Sequence, residues 1–478
     1  MQPLMGIVRR WTYPESGCGK VPSDKAALEN TGMLSIEQNE RVTQTGPGTP
    51  AGNLLRHYWQ PIALCEELDP SRPVAAVTIL GESLVLFRNE HGELGLIDRA
   101  CPHRGADLCF GRLEDGGLRC LFHGWLFDVE GKCLEQPAEP LGSTYFNHIR
   151  QKAYPCRERN GMVFAFMGEG EAPPFPALDC LNAPDTHSFS FKGHYECNWL
   201  QALEVGIDPA HASFLHRYFE AGDPGLVYGQ QFRDIAGDSS ISMTTLLREH
   251  PRPNIEIEHT EFGLRLLALR SLASGQHHVR VTNQVFPQAI CIPMSNEMTI
   301  TQWHVPIDDQ HCYWYAMFTS FGAPTDKAQM REQRLALYEL PGYTSRRNRS
   351  NQYGYDVEEQ RTRTYTGMGE DINVHDQWAV ESMGAIQDRS REHLAKSDAG
   401  IRAYRTLLLK AIEAVDAGEV PAVGASSLPS EAPIAVDAIA DGPDWRDHWR
   451  VVDAKRRQSC VWSATTTKEK AAIGGGDE

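Results

Sequence analysis

The sequence predicts an α+β protein with two domains, and three observations lead to this class. The chain has 478 residues, more than one ordinary domain requires. Short β-rich runs separated by turn residues fill residues 58–170, whereas longer strands mix with helical segments after residue 186. A proline-rich connector at residues 171–185 divides the two patterns. We therefore predict a first domain over residues 33–175 and a second over residues 176–417.

The composition restricts the class of partner and the compartment. Hydrophobic residues make up 41% and charged residues 23% of the chain, as in globular proteins. The net charge of −17 disfavours nucleic acid and anionic membranes as partners, and no apolar run is long enough to span a bilayer. The N-terminus lacks the apolar core of a secretory signal, and most of the 12 cysteines are scattered. These features predict a cytoplasmic protein with no membrane segment.

The first domain is predicted to be a small antiparallel β domain. Residues 1–32 are rich in Gly, Pro, Ser and charge, so we expect a disordered extension before the folded body begins at Met33. The runs VTILG and SLVLFRN predict two strands, and a turn follows at residues 89–92. Residues 128–131 and 159–161 have the composition of hairpin turns.

The second domain mixes helices with a larger sheet. Helices are predicted at residues 198–206, 209–219, 327–339, 376–383 and 399–416. Strands are predicted from the runs TLLREH, IEIEHTEFGLRLLALRSL, HHVRVTNQVFP and MTITQWHVPI. Residues 418–478 are expected to form a C-terminal extension that is partly disordered, because the segment is rich in Ala, Pro and Ser and ends in a polar tail.

One short stretch, CPHRGADLCFGRLEDGGLRCLFH, contains Cys-x-His near its start and Cys-x-x-His at its end. Its candidate ligands are Cys101, His103, Cys120 and His123. Zinc fingers usually pair residues of one type, whereas each pair here joins one Cys to one His. That pattern suits a two-iron cluster in which one iron takes both thiolates and the other takes both imidazoles. Cys109 and Cys133 lie outside the pattern and are interpreted as ordinary buried thiols.

The segments CPHRGADL and CLFHGWLFD together resemble the Rieske motif of aromatic-ring oxygenases. Respiratory Rieske proteins carry an additional Cys in each loop, where this chain has Ala106 and Phe122. The resemblance implies an N-terminal Rieske [2Fe–2S] domain. It also implies a C-terminal helix-grip-like domain whose antiparallel sheet carries a mononuclear iron.

A second motif, NWLQALEVGIDPAHASFLH, resembles the D-x2-H-x4-H iron motif of the same oxygenases. The resemblance implies that His211 and His216 bind the mononuclear iron and that Asp208 is the catalytic bridging acid. From the residues alone, Asp208 is a helix N-cap followed by Pro209 at the first helical position. Two histidines five residues apart would diverge by ~140° on a regular helix, so we expect a distorted helix, such as one with a π-bulge.

The third iron ligand is expected far downstream, where EDINVHDQWAVESMGAIQDRSREHL resembles the C-terminal segment of the family. We predict Asp376, at the start of a helix, with Asp388 as the alternative. Three side chains at helical spacing precede Asp208: Asn198, Gln201 and Glu204. They are interpreted either as supports for the site or as contacts on the helix surface.

Residues 35–415 most resemble the phthalate dioxygenase group, whose oxygenase has one subunit type. The resemblance implies an aromatic carboxylate substrate, O2, and cis-dihydroxylation of the phthalate 4,5-dioxygenase kind or, alternatively, O-demethylation of a methoxylated acid. Electrons would come from NAD(P)H through a flavin and iron–sulfur reductase. A homotrimer or a hexamer of stacked trimers is implied, in which Asp208 hydrogen-bonds His211 and the cluster ligand His123 of a neighbouring subunit.

A carboxylate substrate requires a cationic partner, for which an Arg is the best residue. Arg265, Arg270 and Arg280 lie on predicted strands of the second sheet, facing either the pocket or solvent. Two other classes of protein stay open at this point. A Rieske electron-transfer protein would not need about 300 additional residues, and a zinc-stabilised binding protein would be colourless.

Overall fold

The computed structural model of the chain describes residues 33–219, 241–295, 297–424, 433–442 and 445–463. The α+β class is confirmed, with short strands in the N-terminal part and a large sheet with helices in the C-terminal part. The predicted extension at residues 1–32 lies outside the described residues. Within the described part of the chain, no helix is both long enough and apolar enough to cross a bilayer.

Eleven α-helices occur among the described residues. In chain order they are α1 (Ile36–Thr43), α2 (Pro50–Arg56), α3 (Asp179–Asn182), α4 (Trp199–Gly206), α5 (Ala212–Leu215), α6 (Met243–Glu249), α7 (Lys327–Leu337), α8 (Val357–Thr362), α9 (Ile372–Ser382), α10 (Ala399–Asp416) and α11 (Trp445–Ser459).

The small domain and its flanks contain the first eleven strands. These are β1 (Trp59–Leu64), β2 (Val74–Ile79), β3 (Glu82–Arg88), β4 (Leu94–Asp98), β5 (Arg112–Glu114), β6 (Gly117–Arg119), β7 (Leu126–Phe127), β8 (Cys133–Glu135), β9 (Ala153–Tyr154), β10 (Cys156–Arg159) and β11 (Met162–Phe166). They form three antiparallel sheets, in the orders β1-β11-β10, β2-β3-β4-β9 and β5-β6-β7-β8.

The remaining strands build one ten-stranded sheet. They are β12 (Ser188–Tyr195), β13 (Asn254–Thr260), β14 (Gly263–Ser271), β15 (Gln276–Val285), β16 (Ala289–Pro293), β17 (Met298–Pro306), β18 (Cys312–Ser320), β19 (Tyr338–Glu339), β20 (Thr344–Ser345) and β21 (Val436–Asp441). The order is β13-β14-β15-β16-β17-β18-β12-β20-β19, and β21 pairs with β15.

Different hydrophobic cores, among several in the described residues, support the Cys/His loops and the large sheet. The core of the small domain packs Val85, Phe87, Leu108 and Phe127 around the Cys/His loops. The core of the large domain joins α4 and α10 to the sheet and extends to the strands β1 and β11. Burial of these apolar surfaces is the main favourable contribution to folding. The candidate sites therefore stand on two differently built supports.

Several sequence predictions about elements are confirmed and others are wrong. The helix predicted at residues 399–416 matches α10. The run TLLREH is not a strand, because its residues 245–249 belong to α6, which Ser242 caps through its side chain. The helix predicted at 209–219 is only the four-residue α5. The helix predicted from residue 376 begins earlier, at Ile372, where the side chain of Asp371 caps it.

The C-terminal segment contributes to the large sheet. Strand β21 runs antiparallel to β15, with Asp437 opposite Arg280. Helix α11 packs on this strand through Trp445 and Trp449, which share a core with Val279 and Val281 of β15. The described part of the predicted extension thus adds a strand and a packed helix to the large sheet.

Candidate metal centres and substrate cavity

The Cys/His motif forms two loops with the same backbone pattern. The amide of Cys101 donates to the carbonyl of Ala106 and that of Cys120 donates to Trp125, both at 2.8 Å. Each loop closes through Gly105 or Gly124, whose amide donates back to the carbonyl of its Cys. These two glycines have φ of 77° and 75°, a conformation that other residues rarely adopt. The four predicted ligands are therefore presented by a pair of matching turns.

The donor set of these loops fits a Rieske cluster. Cys101 and Cys120 are buried, and burial raises the pKa of the Cys101 thiol to about 11, so a metal is needed to keep it as thiolate. The rings of His103 and His123 lie 4.4 Å apart. The Nδ1 atom of His123 is buried without a hydrogen-bond partner. An orphaned buried nitrogen beside a second imidazole is what a bound iron would satisfy.

The tip of these loops is apolar and exposed. His103 is exposed and stacks on Trp125 with ring centroids 4.5 Å apart. Phe110, Leu121 and Phe122, in or next to the same two loops, are each more than half exposed. Exposed apolar groups around a redox centre mark a contact surface rather than a core.

The second histidine pair flanks a single helical turn. His211 precedes α5 and His216 follows it, so the two residues stand at opposite ends of the four-residue helix. The expected continuous helix with a π-bulge is therefore wrong; the chain leaves helical geometry at His216, where φ is −104° and ψ is 22°. This break turns both rings to one point, and their Nε2 atoms are 3.3 Å apart.

Asp376 completes this group from helix α9. Its Oδ1 atom is 3.3 Å from Nε2 of His216 and 3.8 Å from Nε2 of His211. One ligand atom from each of the three residues lies within 4.8 Å of the others, and Asp376 Oδ1 is buried without a hydrogen-bond partner. Two imidazoles and one carboxylate form the set that non-haem Fe(II) sites use. The alternative, Asp388, is exposed and accepts a hydrogen bond from the amide of Ser390.

Hydrogen bonds orient both rings for a metal. Nδ1 of His211 donates to the main-chain carbonyl of Asp208 at 2.5 Å. Nε2 of His375 bonds the carbonyl of Gly369 at 2.9 Å, which leaves Nδ1 of His375 to accept from Nδ1 of His216 at 3.4 Å. With both Nδ1 atoms acting as donors, both Nε2 atoms carry free lone pairs toward Asp376.

Burial controls protonation in this group. Burial, together with a smaller effect of the positive charge of Arg280, lowers the pKa of His216 to about 3. Burial also lowers the pKa of His211, and the neighbouring His216 adds to this decrease. Burial raises the pKa of Asp376 to about 6, although His211 and His375 oppose the change. Neutral imidazoles beside a carboxylate are the protonation states that a divalent cation requires.

Asp208 lies next to His211 but contacts it differently from the prediction. Its carboxylate accepts from the amide of Ala210 at 2.8 Å, and its Oδ2 is 3.9 Å from Nδ1 of His211. The direct contact to His211 instead uses the Asp208 carbonyl. Burial raises the pKa of Asp208, which His211 partly offsets. The predicted helix cap is also wrong, because α5 begins only at Ala212.

A cavity lies between this group and the large sheet. Its floor is one face of strands β14 to β18, where alternate residues point inward. The apolar members of the floor are Leu266, Ile290, Ile292, Ile300, Trp314 and Phe318. The polar members are Arg270, Arg280, Thr282, Gln302 and His304. A mainly apolar cavity with a few polar groups is typical of a small-molecule site.

The three predicted arginines have different surroundings. Arg265 pairs with Glu258 at 2.8 Å and packs on Trp449, away from the cavity. Arg280 lines the cavity but pairs with Asp437 of β21 at 2.5 Å. Arg270 also lines the cavity, is 1% exposed, and donates to the carbonyl of His250 at 3.0 Å.

Arg270 has an unused donor. Its Nη2 atom contacts Ser213 Oγ at 3.3 Å, within the turn between the two histidines. Its Nη1 atom is buried without a hydrogen-bond partner. Burial lowers the pKa of Arg270 to about 10, so it stays charged at neutral pH. A buried guanidinium with an unpaired N–H is a ready partner for an anionic ligand.

The side chains before Asp208 are buried supports and not surface contacts. Asn198 caps α4 and donates to the carbonyls of Thr43 and Asp309. Gln201 donates to Val380 and Gly384, at the end of the helix that carries Asp376.

Glu204 links α4 to α10 and to the segment that follows α9. It is buried between Arg389 and Arg405, with closest contacts of 2.8 and 2.6 Å. Burial alone would raise the pKa of Glu204, but the two arginines hold it below its ordinary value.

Four contributors to the site escaped the sequence analysis. They are His375, the carbonyl of Gly369, His304 and Asp437. His375 directly precedes Asp376, so its position beside a predicted ligand was a signal. Asp437 lies in a segment without any motif, and only the pairing of β21 with β15 brings it to Arg280.

Comparison with known proteins identifies both parts of the chain. A family model described as Rieske [2Fe-2S] domain matches residues 58–148. A second model, described as LigXa C-terminal domain like, matches residues 165–471. The second match includes the residues of both β21 and α11.

Relatives match over most of their length. The oxygenase subunit of phthalate 4,5-dioxygenase from Pseudomonas putida is 33% identical over 446 residues, which is 88% of this chain and 97% of that protein. The oxygenase subunit of 3-chlorobenzoate-3,4-dioxygenase from Comamonas testosteroni is 31% identical, covering 81% of this chain and 91% of that one. The oxygenase subunit of 5,5'-dehydrodivanillate O-demethylase from a Sphingobium strain is 30% identical, covering 81% and 83%.

Solved structures share the fold. NdmA of Pseudomonas putida CBB5 with caffeine has a TM-score of 0.53 at 18% identity, covering 79% of this chain and 96% of that one. The fold, the Cys/His loops and the two family-model matches define an iron-dependent oxygenase with a Rieske domain and a separate catalytic domain. The chain belongs to the Rieske non-haem iron oxygenases, among the oxygenase subunits of the phthalate dioxygenase group. The predicted enzyme class and cofactors, a [2Fe–2S] cluster and a mononuclear iron with reductase-supplied electrons, are thereby confirmed.

Proposed function

We propose that this protein oxygenates an aromatic carboxylate, whose carboxylate group binds Arg270 in the cavity next to the iron site. One observation carries the proposal: the buried Arg270 lines the cavity and keeps one N–H without a partner. Its Nη2 contact with Ser213 puts the guanidinium beside the turn that carries both histidines. An acid held there would present its ring to the iron site. The named substrates of several relatives are aromatic acids.

The ligand assignments of the proposal follow the geometry. Cys101, Cys120, His103 and His123 would hold the cluster. His211, His216 and Asp376 would hold the mononuclear iron, which in this family supplies O2 activation when electrons arrive. The chain's own contribution is to keep both Nε2 lone pairs free through Asp208 and His375. The apolar floor excludes water from the reacting ring.

The proposal includes a homotrimer, or a hexamer of stacked trimers, in which the cluster of one subunit serves the iron of the next. A second, more open cleft reaches Asp208 and His211 from the outer surface. Partly exposed Phe214, Tyr365 and Trp378 line that cleft. The exposed apolar tip of the Rieske loops suits such a surface. Asp208 would then connect His123 of the neighbouring subunit with His211.

The electron donor is a separate reductase that oxidises NAD(P)H. The described residues include 11 free cysteines, two of them proposed cluster ligands. Free thiols and an iron–sulfur centre favour a reducing compartment, so we place the protein in the cytoplasm.

The test is a comparison of two buried arginines. Arg270→Gln should raise KM for benzoate-type substrates about 10- to 100-fold, since a charge-assisted hydrogen bond is lost. The matched control is Arg265→Gln, because Arg265 is equally buried but lies outside the cavity. Equal KM values for both variants and the wild type would refute the carboxylate assignment.

Product analysis in the same assay separates the two reaction types. Coupled to a reductase, the enzyme is expected to convert an unsubstituted aromatic acid to a cis-dihydrodiol, with O2 uptake matching product. Formaldehyde released only from methoxylated acids would instead favour O-demethylation, the activity that the name of the Sphingobium relative states.

A further inference from the structure

The loop of residues 364–369 contacts the iron site from two directions. At its start, Thr364 forms an isolated antiparallel bridge with Tyr218, in the chain that continues from the second histidine of the site. At its end, the carbonyl of Gly369 accepts a hydrogen bond from Nε2 of His375 at 2.9 Å. The position of this loop therefore affects both the backbone that follows one proposed iron ligand and the residue that orients that ligand.

Glu359 holds both ends of this loop. It lies on α8 and is half-buried. Its Oε1 atom accepts from Oγ1 of Thr364 and from the amide of Gly369, both at 2.7 Å. Thr364 is fully buried, and its Oγ1 also accepts from the amide of Gly367 at 3.0 Å. Hydrogen bonds to a carboxylate are stronger than those between neutral groups, so one oxygen atom fixes the two ends relative to each other.

The Gly369 carbonyl determines which tautomer His216 adopts. A carbonyl only accepts, so Nε2 of His375 carries the ring proton, and Nδ1 of His375 accepts from Nδ1 of His216 at 3.4 Å. The Nε2 lone pair of His216 is then free toward Asp376. If the carbonyl moved away, His375 could carry its proton on Nδ1. His216 would then accept through Nδ1 and carry its own proton on Nε2, where an iron ligand needs a lone pair.

We propose that Glu359 is a positioning residue of the mononuclear iron site, which acts through Gly369 and His375 to keep His216 in the tautomer that binds iron. Glu359 is not one of the three proposed ligands. Each hydrogen bond on the route from Glu359 to His216 is 3.4 Å or shorter. The inference rests on the proposed function, because it requires His216 to bind the iron.

The test measures the affinity for Fe(II) by competition with a chelator, on oxygenase that keeps its cluster. Glu359→Ala should lower this affinity about 5- to 10-fold, less than the loss of His375, because Glu359 acts one step further from the iron. Glu359→Gln keeps an acceptor oxygen and should stay within about twofold of the wild type. The matched control is Glu358→Ala, which removes an exposed carboxylate 3.8 Å from Arg361 and should leave iron affinity unchanged.

A double variant separates positioning from general support of the fold. In the His375→Phe background the route to His216 is already interrupted, so Glu359→Ala should lower iron affinity no further. A second decrease in that background, or a Glu359→Gln affinity as low as that of Glu359→Ala, would overturn the inference. The visible spectrum of the cluster and the thermal unfolding midpoint show whether each variant is folded. If Glu359→Ala is not folded, Thr364→Val removes one of the two bonds and should lower iron affinity about two- to threefold, and an unchanged affinity would overturn the inference.

Two failures can be told apart. If His216→Ala loses the mononuclear iron whereas Glu359→Ala binds it as tightly as the wild type, only the role of Glu359 is overturned and the proposed function stands. If His216→Ala binds this iron as tightly as the wild type, His216 is not a ligand. The proposed ligand set then fails, and the inference fails with it.

Discussion

The two metal centres differ in how the chain brings their ligands together. The candidate cluster ligands all lie between residues 101 and 123, in two loops with the same hydrogen-bond pattern. In the second centre, His211 and His216 instead pack against α9, which is far along the chain. His216 and its hydrogen-bond partner His375, on α9, are 159 residues apart. The first centre is therefore a local structure, whereas the second exists only when the large domain is packed.

This difference extends to the supports of each centre. Local turns and one small core hold the cluster loops. The second centre depends on Gln201 and Glu204 of α4, which hold the segment that follows the helix carrying Asp376. Damage to distant packing should consequently affect the second centre before the first.

The largest expected effect is a loss of activity that leaves the cluster intact. His216→Ala should lower oxygenation by roughly 10³-fold or more, because it removes one of the three proposed ligands of the mononuclear iron. The cluster should remain, because its loops are independent. Metal analysis and the visible spectrum test this. Loss of the cluster colour in His216→Ala would contradict the comparison, and Cys120→Ser is the reciprocal variant that should lose that colour.

Breaking the buried network of Glu204 with Arg389 and Arg405 should weaken the mononuclear iron centre more than the cluster. Arg389→Ala leaves Glu204 short of one of its two partners in a buried site and should lower the free energy of unfolding by about 3–5 kcal/mol. Denaturant titration followed by tryptophan fluorescence measures this. The mononuclear iron should be lost at lower denaturant than the cluster. The control, Arg446→Ala, removes an exposed pair with Glu256 and a cation–π contact with Trp445, so the free energy of unfolding should change much less.

A smaller effect is expected from the residue that orients His216. His375→Phe removes the acceptor of the His216 Nδ1–H and should lower iron affinity about 10- to 100-fold. Competition with a chelator measures this affinity. Unchanged iron affinity would mean that His375 is only a packing residue. His311→Phe, at an exposed turn, is the control.

The smallest expected effect is on stability, from an ion pair beside the cluster loops. Asp107 pairs with Arg99, and that hydrogen bond lowers the pKa of Asp107 to about 2. Because the folded-state pKa lies below the ordinary value of 3.8, the stabilisation is complete above pH 3.8 and disappears as pH falls through about 2. Asp107→Asn should cost about 1 kcal/mol or less at pH 7, and the difference from wild type should shrink at pH 3. Urea unfolding at both pH values measures it; a constant difference would exclude the ion pair as its cause.

The same contrast explains what the sequence could predict. The cluster loops were predictable because ligands, glycines and turns occur together within one short motif. Asp376 was predictable only through resemblance, and its place in the middle of α9 was not, because Asp371 supplies the helix cap. TLLREH has apolar residues that suit either element, and its packing against α5 decides for a helix. His304 and Asp437 have no local signal, since strand register alone determines what they face.

Through β21, the C-terminal segment affects the charge of the cavity without lining it. Asp437, opposite Arg280 on the neighbouring strand, compensates the charge of Arg280. Shortening the protein before residue 433 would leave a second uncompensated cation in an apolar wall, and dianionic molecules would become better ligands. Exchanging this tail between relatives is therefore a route to re-engineered selectivity that leaves every residue of the catalytic centre intact.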